Sequence, residues 1–92
     1  MYYSISSVFG IDKSPMPFTA NNDDEFTEQL TRFIRLRIND CRECNEVRLD
    51  RNYSKKFDID FLTYTDELGM EHTIAVRLKE ITMDEYVEML LD

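Results

Sequence analysis

The apolar residues of this 92-residue chain change their spacing near residue 46. Between residues 23 and 41 they recur every three to four positions, which is the period of an amphipathic helix. From Glu46 to Lys79 they alternate with polar residues, which is the period of half-buried strands. This change of period predicts a helix followed by three strands, and with them an α+β fold built on an antiparallel sheet.

Helix one is predicted over residues 23–40. Asn22 followed by Glu25 has the spacing of a capping box, and three acidic residues in the first turn suit the positive end of the helix dipole. One buried stripe is expected from its apolar positions, which are Phe26, Leu30, Phe33, Ile34, Ile38 and Cys41.

The segments on either side of helix one complete the predicted sheet. Residues 2–9 are predicted to form a strand that ends at Gly10. Residues 11–22 contain Pro15 and Pro17, which exclude a continuous helix, so we expect an ordered loop there. Residues 46–79 are predicted to form a three-strand antiparallel meander.

The last two strands of the meander are expected to form a hairpin closed by a four-residue loop, 67–70. Its register opposes core-side residues on one face and opposite charges on the other, and both patterns select the same alignment. The expected core-side pairs are Thr63 with Ile74, Phe61 with Val76 and Ile59 with Leu78. The expected ionic pairs are Asp60 with Arg77 and Asp58 with Lys79.

Helix two is predicted over residues 82–92. Thr82 and Glu85 have the spacing of a second capping box. The predicted buried stripe consists of Met83, Tyr86, Val87, Leu90 and Leu91. The chain as a whole, 1–92, is therefore expected to be one small domain with the order β-α-β-β-β-α, its antiparallel sheet packed against two amphipathic helices.

Charge is unevenly distributed along the chain, and the formal net charge is −8. Residues 1–31 carry a net −4, residues 32–56 a net +4 and residues 57–92 a net −8. The field of the last block repels nucleic acid and attracts basic surfaces. The basic segment 32–56 has an aromatic and basic composition found in single-strand binders, but the total charge opposes direct nucleic-acid binding.

The remaining motifs are not typical of a catalytic or metal site. Cys41 and Cys44 form a C-x-x-C, but a structural zinc site needs four ligands and the chain adds only His72. The motif also follows a helix C-terminus, where the dipole does not stabilise a thiolate. With two glycines the chain can hold no glycine-rich phosphate loop. We therefore expect no enzyme, no cofactor and no bound metal.

The acidic residues of helix two are the strongest candidates for a binding surface. Asp84, Glu88 and Asp92 recur every four residues, about 6 Å apart along one line, with Glu85 beside them. Like charges at this spacing destabilise a helix slightly, so stability alone does not explain them. A second acidic cluster is expected at the hairpin tip, from Asp66, Glu67 and Glu71.

These features favour a small acidic protein that inhibits a basic partner. The expected partner is a nucleic-acid-handling protein whose basic surface the carboxylates occupy as a nucleic-acid mimic. In size and charge the chain resembles phage anti-restriction and anti-CRISPR inhibitors and immunity proteins against nuclease toxins, although no motif carries the likeness. The alternative is a non-catalytic adaptor or small subunit of a larger assembly, docking through Tyr2, Tyr3, Leu36, Leu62, Tyr64 and Met89.

The expected location depends on two absences in the sequence. No apolar run approaches the roughly 18 residues that span a bilayer, and the first residues lack the basic flank of a signal peptide. We therefore expect a cytoplasmic protein, in the host cytoplasm if a virus encodes it, with reduced cysteines and no membrane contact. The sequence is also compatible with a homodimer and does not determine the oligomeric state.

Overall fold

The computed structural model describes residues 1–9, 14–38, 44–54 and 58–91, with the backbone alone for 52–54. Its strands are β1 (Tyr2–Ser7), β2 (Met16–Thr19), β3 (Asn45–Ser54), β4 (Ile59–Thr65) and β5 (Glu71–Ile81). Its helices are α1 (Asp23–Phe33), which continues as a π-helical segment (Ile34–Ile38), and α2 (Met83–Leu91). The predicted α+β class and order are confirmed, with β2 added in the segment expected to be a loop.

The five strands form one antiparallel sheet in the order β2-β1-β5-β4-β3. β2 is an edge strand, and its Pro17 lies opposite Ser4 of β1. Proline has no N–H to donate, so it is tolerated at a sheet edge but not in a central strand. The prolines exclude a helix here, but they are compatible with a short edge strand. The prediction of a loop over residues 11–22 missed this strand.

The two helices lie on opposite faces of the sheet. Successive side chains of a strand point to opposite faces, and in β1 Tyr3 packs on Phe26 of α1 while Tyr2 packs on Tyr86 of α2. The ring centroids of these pairs are 5.3 Å and 5.0 Å apart. We call the two sides of the sheet the α1 face and the α2 face.

The hydrophobic core lies between α1 and the α1 face. The N-terminus of α1 is capped as predicted, because Glu25 donates its backbone N–H to Asn22 Oδ1 at 2.9 Å. The predicted helix stripe is confirmed, with Leu30, Phe33 and Ile34 buried and Phe26 and Ile38 packed against them. Its last predicted member, Cys41, lies outside the described residues. The sheet contributes Ile5, Phe18, Leu62, Tyr64, Val76 and Leu78.

The register of the β4–β5 hairpin differs from the prediction by one residue. Phe61 faces Ala75 and Asp60 faces Val76, so the expected ion pair between Asp60 and Arg77 is not formed. A shift of one residue moves every side chain of a strand to the other face. β4 therefore buries its even-numbered residues, Asp60, Leu62 and Tyr64. Thr63 faces Thr73 instead of Ile74, and the pairs expected for Ile59 and Asp58 are not among those of the β4–β5 ladder.

The hairpin loop accounts for this shift. It has five residues rather than four, because Asp66 leaves the strand pairing and organises the turn. Its Oδ1 atom accepts hydrogen bonds from the backbone N–H of Leu68 at 2.9 Å and of Met70 at 3.0 Å. Gly69 supplies the positive φ of +80° in this turn, a conformation that glycine adopts at little cost.

Cys44, just before β3, is buried and disulfide-bonded. The expectation of reduced cysteines is therefore wrong at this residue. That expectation came from the predicted cytoplasmic location, where thiols are kept reduced. It took no account of where the fold places Cys44. The other cysteine of the chain, Cys41, lies outside the described residues.

α2 departs furthest from the predicted packing. Among its described residues none is buried, and four of the five predicted stripe residues are exposed. The exposed four are Met83, Val87, Leu90 and Leu91. The helix lies against β1 and β2, at one side of the sheet, so the sheet covers only a narrow strip of the helix surface. No helix within the described residues is long and apolar enough to cross a membrane.

Candidate protein-binding surface

α2 begins with the capping box that the sequence predicts. Glu85 donates its backbone N–H to Thr82 Oγ1 at 3.2 Å, and Thr82 donates its own N–H to Glu85 Oε1 at 3.2 Å. Two otherwise unpaired backbone donors are satisfied in this way. The first turn of α2 is therefore fixed, and with it the direction of every side chain that follows.

Tyr86 and Met89 are the side chains of α2 that face the sheet. Both are half-buried, whereas the other described residues of α2 are exposed. They are three residues apart, so they lie on the same side of the helix. Tyr86 makes the ring contact with Tyr2 of β1 described above. α2 is thus held by a small aromatic contact and not by a wide apolar stripe.

The side of α2 that points away from the sheet carries what we call the outer stripe. Its members have the spacing i, i+3, i+4, i+7, which places them along one helix face. They are Asp84, Val87, Glu88 and Leu91, and all four are exposed. Val87 is 43% and Leu91 82% exposed. Two apolar side chains therefore stand beside two carboxylates, in contact with solvent.

Further apolar residues extend this surface around the sheet edge. Leu90 is 58% exposed, and with Tyr86 it lines a groove of about 390 Å³ beside β2. The other wall of the groove includes Leu36 of the π-helical segment, which is 61% exposed. Single exposed apolar residues are common on proteins, whereas a contiguous group marks an interaction site.

The carboxylates of the outer stripe give this side of α2 a negative charge. Within the described part of the chain, neither Asp84 nor Glu88 has an ion pair. Glu85 hydrogen-bonds the backbone N–H of Thr82 in the capping box. The fourth predicted residue of this group, Asp92, lies outside the described residues.

The acidic residues of the hairpin tip belong to a separate surface. The tip and the start of α2 lie at opposite ends of β5, whose 11 residues span roughly 35 Å. Glu71 forms an ion pair with Arg48 of β3 at 3.0 Å. Asp66 holds the turn, and Glu67 is exposed. The structure therefore does not join the two predicted acidic clusters into one site.

Asp66 is hydrogen-bonded to the side chain of His72 as well as to the backbone of its own turn. His72 Nε2 lies 2.7 Å from Asp66 Oδ2. This hydrogen bond, followed by that from the Met70 N–H, lowers the pKa of Asp66 below its ordinary value. The ring of His72 in turn stacks on the buried Tyr64, with centroids 5.0 Å apart. His72 thus anchors the hairpin turn to the core.

The alternative set of apolar docking residues is only partly accessible. Leu62 and Tyr64 are buried in the core, so they cannot contact a partner. Tyr2 and Tyr3 are half-buried in aromatic contacts with the helices. Leu36 is exposed, and Met89 faces the sheet from α2.

Sequence reasoning missed the exposed apolar side of α2, although the sequence carried a signal for it. Six of the nine residues of α2 are apolar. Plotted at 100° per residue they cover an arc of about 200°, roughly twice the stripe that a surface helix needs for its own core. A helix with so wide an apolar arc has more apolar surface than one sheet can cover.

No grouping in the described structure has the composition of a metal site. Among the described residues, no three His, Cys, Asp or Glu side chains lie close enough together to hold an ion. Comparisons of the chain with known protein families, with curated proteins and with solved structures found no match.

Proposed function

We propose that this protein is a non-catalytic protein-binding module that docks through the outer stripe of α2. The partner surface that fits this stripe carries both apolar and basic side chains. The observation that supports the proposal most directly is the exposure of Val87 and Leu91 beside Asp84 and Glu88 on one helix face.

The apolar and acidic members of the stripe have different tasks in this proposal. Full burial of an exposed leucine contributes roughly 1.5–3 kcal/mol, whereas an exposed ion pair contributes roughly 0.2–1 kcal/mol. Leu91 and Val87 therefore supply most of the affinity. Asp84 and Glu88 accelerate association and select a basic surface, because complementary fields act mainly on encounter and specificity.

An inhibitor or decoy that mimics nucleic acid is the narrower form of this proposal. Asp84 and Glu88 lie about 6 Å apart along the helix, and neither has an ion pair within the described part of the chain. Such a surface suits the basic groove of a nucleic-acid-handling protein, as in phage anti-restriction and anti-CRISPR inhibitors or nuclease-immunity proteins. The cytoplasm is its proposed place of action, where the disulfide at Cys44 would have to persist against reduction.

The adaptor role is the second candidate, and the apolar members of the outer stripe favour it. An adaptor would use the same helix for docking but would leave the nucleic-acid site of its partner open. The two roles therefore differ in whether the partner can still bind nucleic acid.

Affinity capture from the native host tests the docking surface. Val87→Ser with Leu91→Ser should abolish capture of the partner at low and high salt. Asp84→Asn with Glu88→Gln should weaken capture at low salt, since salt screens charge-driven binding. The matched control is Asp24→Asn with Glu28→Gln, because these residues occupy the equivalent second and sixth positions of α1. Capture that survives the Val87 and Leu91 changes would refute docking through α2.

A competition experiment separates the two roles once the partner is purified. Labelled nucleic acid is bound to the partner, and this protein is added in increasing amounts. A decoy releases the nucleic acid, and its Asp84→Asn, Glu88→Gln variant releases it less effectively. An adaptor binds without releasing it, which would refute the decoy form and leave docking through α2 intact.

A further inference from the structure

The groove beside β2 lies at the edge of the sheet, between the two helices. All four residues of β2, Met16–Thr19, line it. One side is formed by α1 with its π-helical continuation, and the other by α2. We call these sides the α1 wall (Gln29, Arg32, Leu36 and Arg37) and the α2 wall (Tyr86 and Leu90).

Each wall presents an apolar side chain to solvent. Leu36 on the α1 wall and Leu90 on the α2 wall are both more than half exposed. Val87 lies three residues before Leu90, so it extends the exposed apolar surface along α2. The middle of this surface is therefore apolar on both sides of the groove.

Opposite charges stand on the outer sides of the two walls. Arg32 lies one turn before Leu36, and it is exposed. Within the described part of the chain it has no ion pair. Around α2, at about 100° per residue, Asp84 and Glu88 lie beyond Val87 on the side away from Leu90. Across the groove the surface thus changes from negative through apolar to positive.

We propose that this groove is a self-association surface, with α2 of each copy packed on the α1 wall of a second copy. A two-fold axis along the groove exchanges the two walls. Leu90 then meets the partner's Leu36, and Asp84 and Glu88 meet the partner's Arg32. Both contacts form together, so the assembly closes as a dimer. This inference rests on the proposed function, since it uses the outer stripe of α2 and names its partner.

A second copy fits this groove because the charge pattern is complementary to itself. Exchanging the walls opposes apolar to apolar and negative to positive, and every contact occurs twice. The net charge of −8 on each copy opposes association at a distance. At about 0.15 M salt the screening length is about 8 Å, so this repulsion is largely screened, whereas ion pairs in direct contact are retained.

Sedimentation equilibrium at about 0.15 M salt tests this dimer by exchange of charges. The wild-type chain should dimerise. Asp84→Lys with Glu88→Lys should raise the dissociation constant roughly tenfold or more, because ion pairs in both contacts are replaced by like charges. Arg32→Glu should weaken the dimer for the same reason. An equimolar mixture of the two variants should form a heterodimer, since each α2 then faces an α1 wall of opposite charge.

Two further variants control for net charge and for local charge. Asp24→Lys with Asp50→Lys makes the same change in net charge at exposed residues outside the groove, and it should leave the dimer intact. Glu28→Gln should strengthen the dimer, because Glu28 lies one turn before Arg32 and repels the same carboxylates. Circular dichroism of each variant shows whether it is folded.

Four results would overturn the proposal. They are a wild-type chain that stays monomeric at its highest soluble concentration, a mixture that does not associate, a net-charge control that dissociates, and a dimer that is weakened by Glu28→Gln.

Leu36 separates failure of the dimer from failure of the proposed function, because it lies on the α1 wall and outside the outer stripe. Leu36→Ser should dissociate the dimer and leave capture of the host partner intact. A monomeric wild-type chain whose host partner is lost with Leu36→Ser would assign the groove to that partner and overturn self-association. Capture that survives Val87→Ser with Leu91→Ser would refute docking of a host partner through α2, while the dimer is still read from Leu36→Ser.

Discussion

Replacing Leu62 with alanine should destabilise this protein far more than the same replacement at Leu68. Both leucines belong to the β4–β5 hairpin, but Leu62 is 0% and Leu68 86% exposed. Removing a fully buried leucine costs roughly 2–5 kcal/mol, because the lost burial is joined by a cavity. The side chain of Leu68 is only about one-seventh buried, so replacing it with alanine should lower the free energy of unfolding by roughly 0.3 kcal/mol.

The difference should be read from urea unfolding at equilibrium. For a domain of this size the total stability is about 5–15 kcal/mol, so Leu62→Ala removes a large part of it. The midpoint should fall steeply for Leu62→Ala with little change in slope, and it should barely move for Leu68→Ala. Equal losses, or a loss below about 1 kcal/mol at Leu62, would refute the observed register, because the alternative alignment places Leu62 on the other face.

Three further predictions concern the turns and the acidic stripe. Thr82→Ala should cost about 1 kcal/mol in urea unfolding, because it removes a helix cap. Since the pKa of Asp66 is depressed in the fold, its stabilisation is present above its ordinary pKa and lost as pH falls through the folded value. The protection factor of the Met70 amide, from which the intrinsic pH dependence of exchange is removed, should therefore fall below about pH 4 in the wild-type chain, and Asp66→Asn should remove this pH dependence. Asp84→Asn with Glu88→Gln should change the melting temperature little, since relief of the like-charge repulsion within the helix is offset by loss of the favourable interaction of Asp84 with the helix dipole; a clear drop would show that these carboxylates stabilise the fold.

The local signals in the sequence were sufficient for the helices and their starts. Both capping boxes involve residues three apart, and Asn22 and Thr82 form their predicted bonds. The buried stripe of α1 also follows from spacing alone, because α1 contacts the sheet along one face. Interactions within a single helical turn depend on few residues, so a pattern of a few letters is enough to predict them.

The hairpin register was not predictable in the same way. Two patterns supported the wrong alignment, because β4 is apolar on both faces and a shift of one residue still opposes apolar residues. The deciding interaction is the hydrogen bonding of Asp66 to Leu68 and Met70. A side chain that accepts from its own loop leaves no trace in the alternation of the strands.

The candidate site was predictable in its charges but not in its exposed apolar side. Asp84 and Glu88 lie on the outside of α2 as their spacing suggests. Which apolar residues of α2 face the sheet depends on where the helix lies on the sheet. That position depends on the contact of Tyr86 with Tyr2, which is 84 residues away in the chain. Contacts of such sequence separation depend on the assembled fold.

The proline in β2 has a consequence for how this protein can associate. An open sheet edge presents unpaired N–H and C=O groups, and it can recruit another strand and begin aggregation. Pro17 removes one of these donors from the short edge strand β2, and β2 also borders the groove between the two helices. At the other edge, β3 is interrupted by two irregularities in its pairing and carries charged residues of both signs. Both edges therefore resist addition of a further strand, and fibril growth by strand stacking is disfavoured even at high concentration.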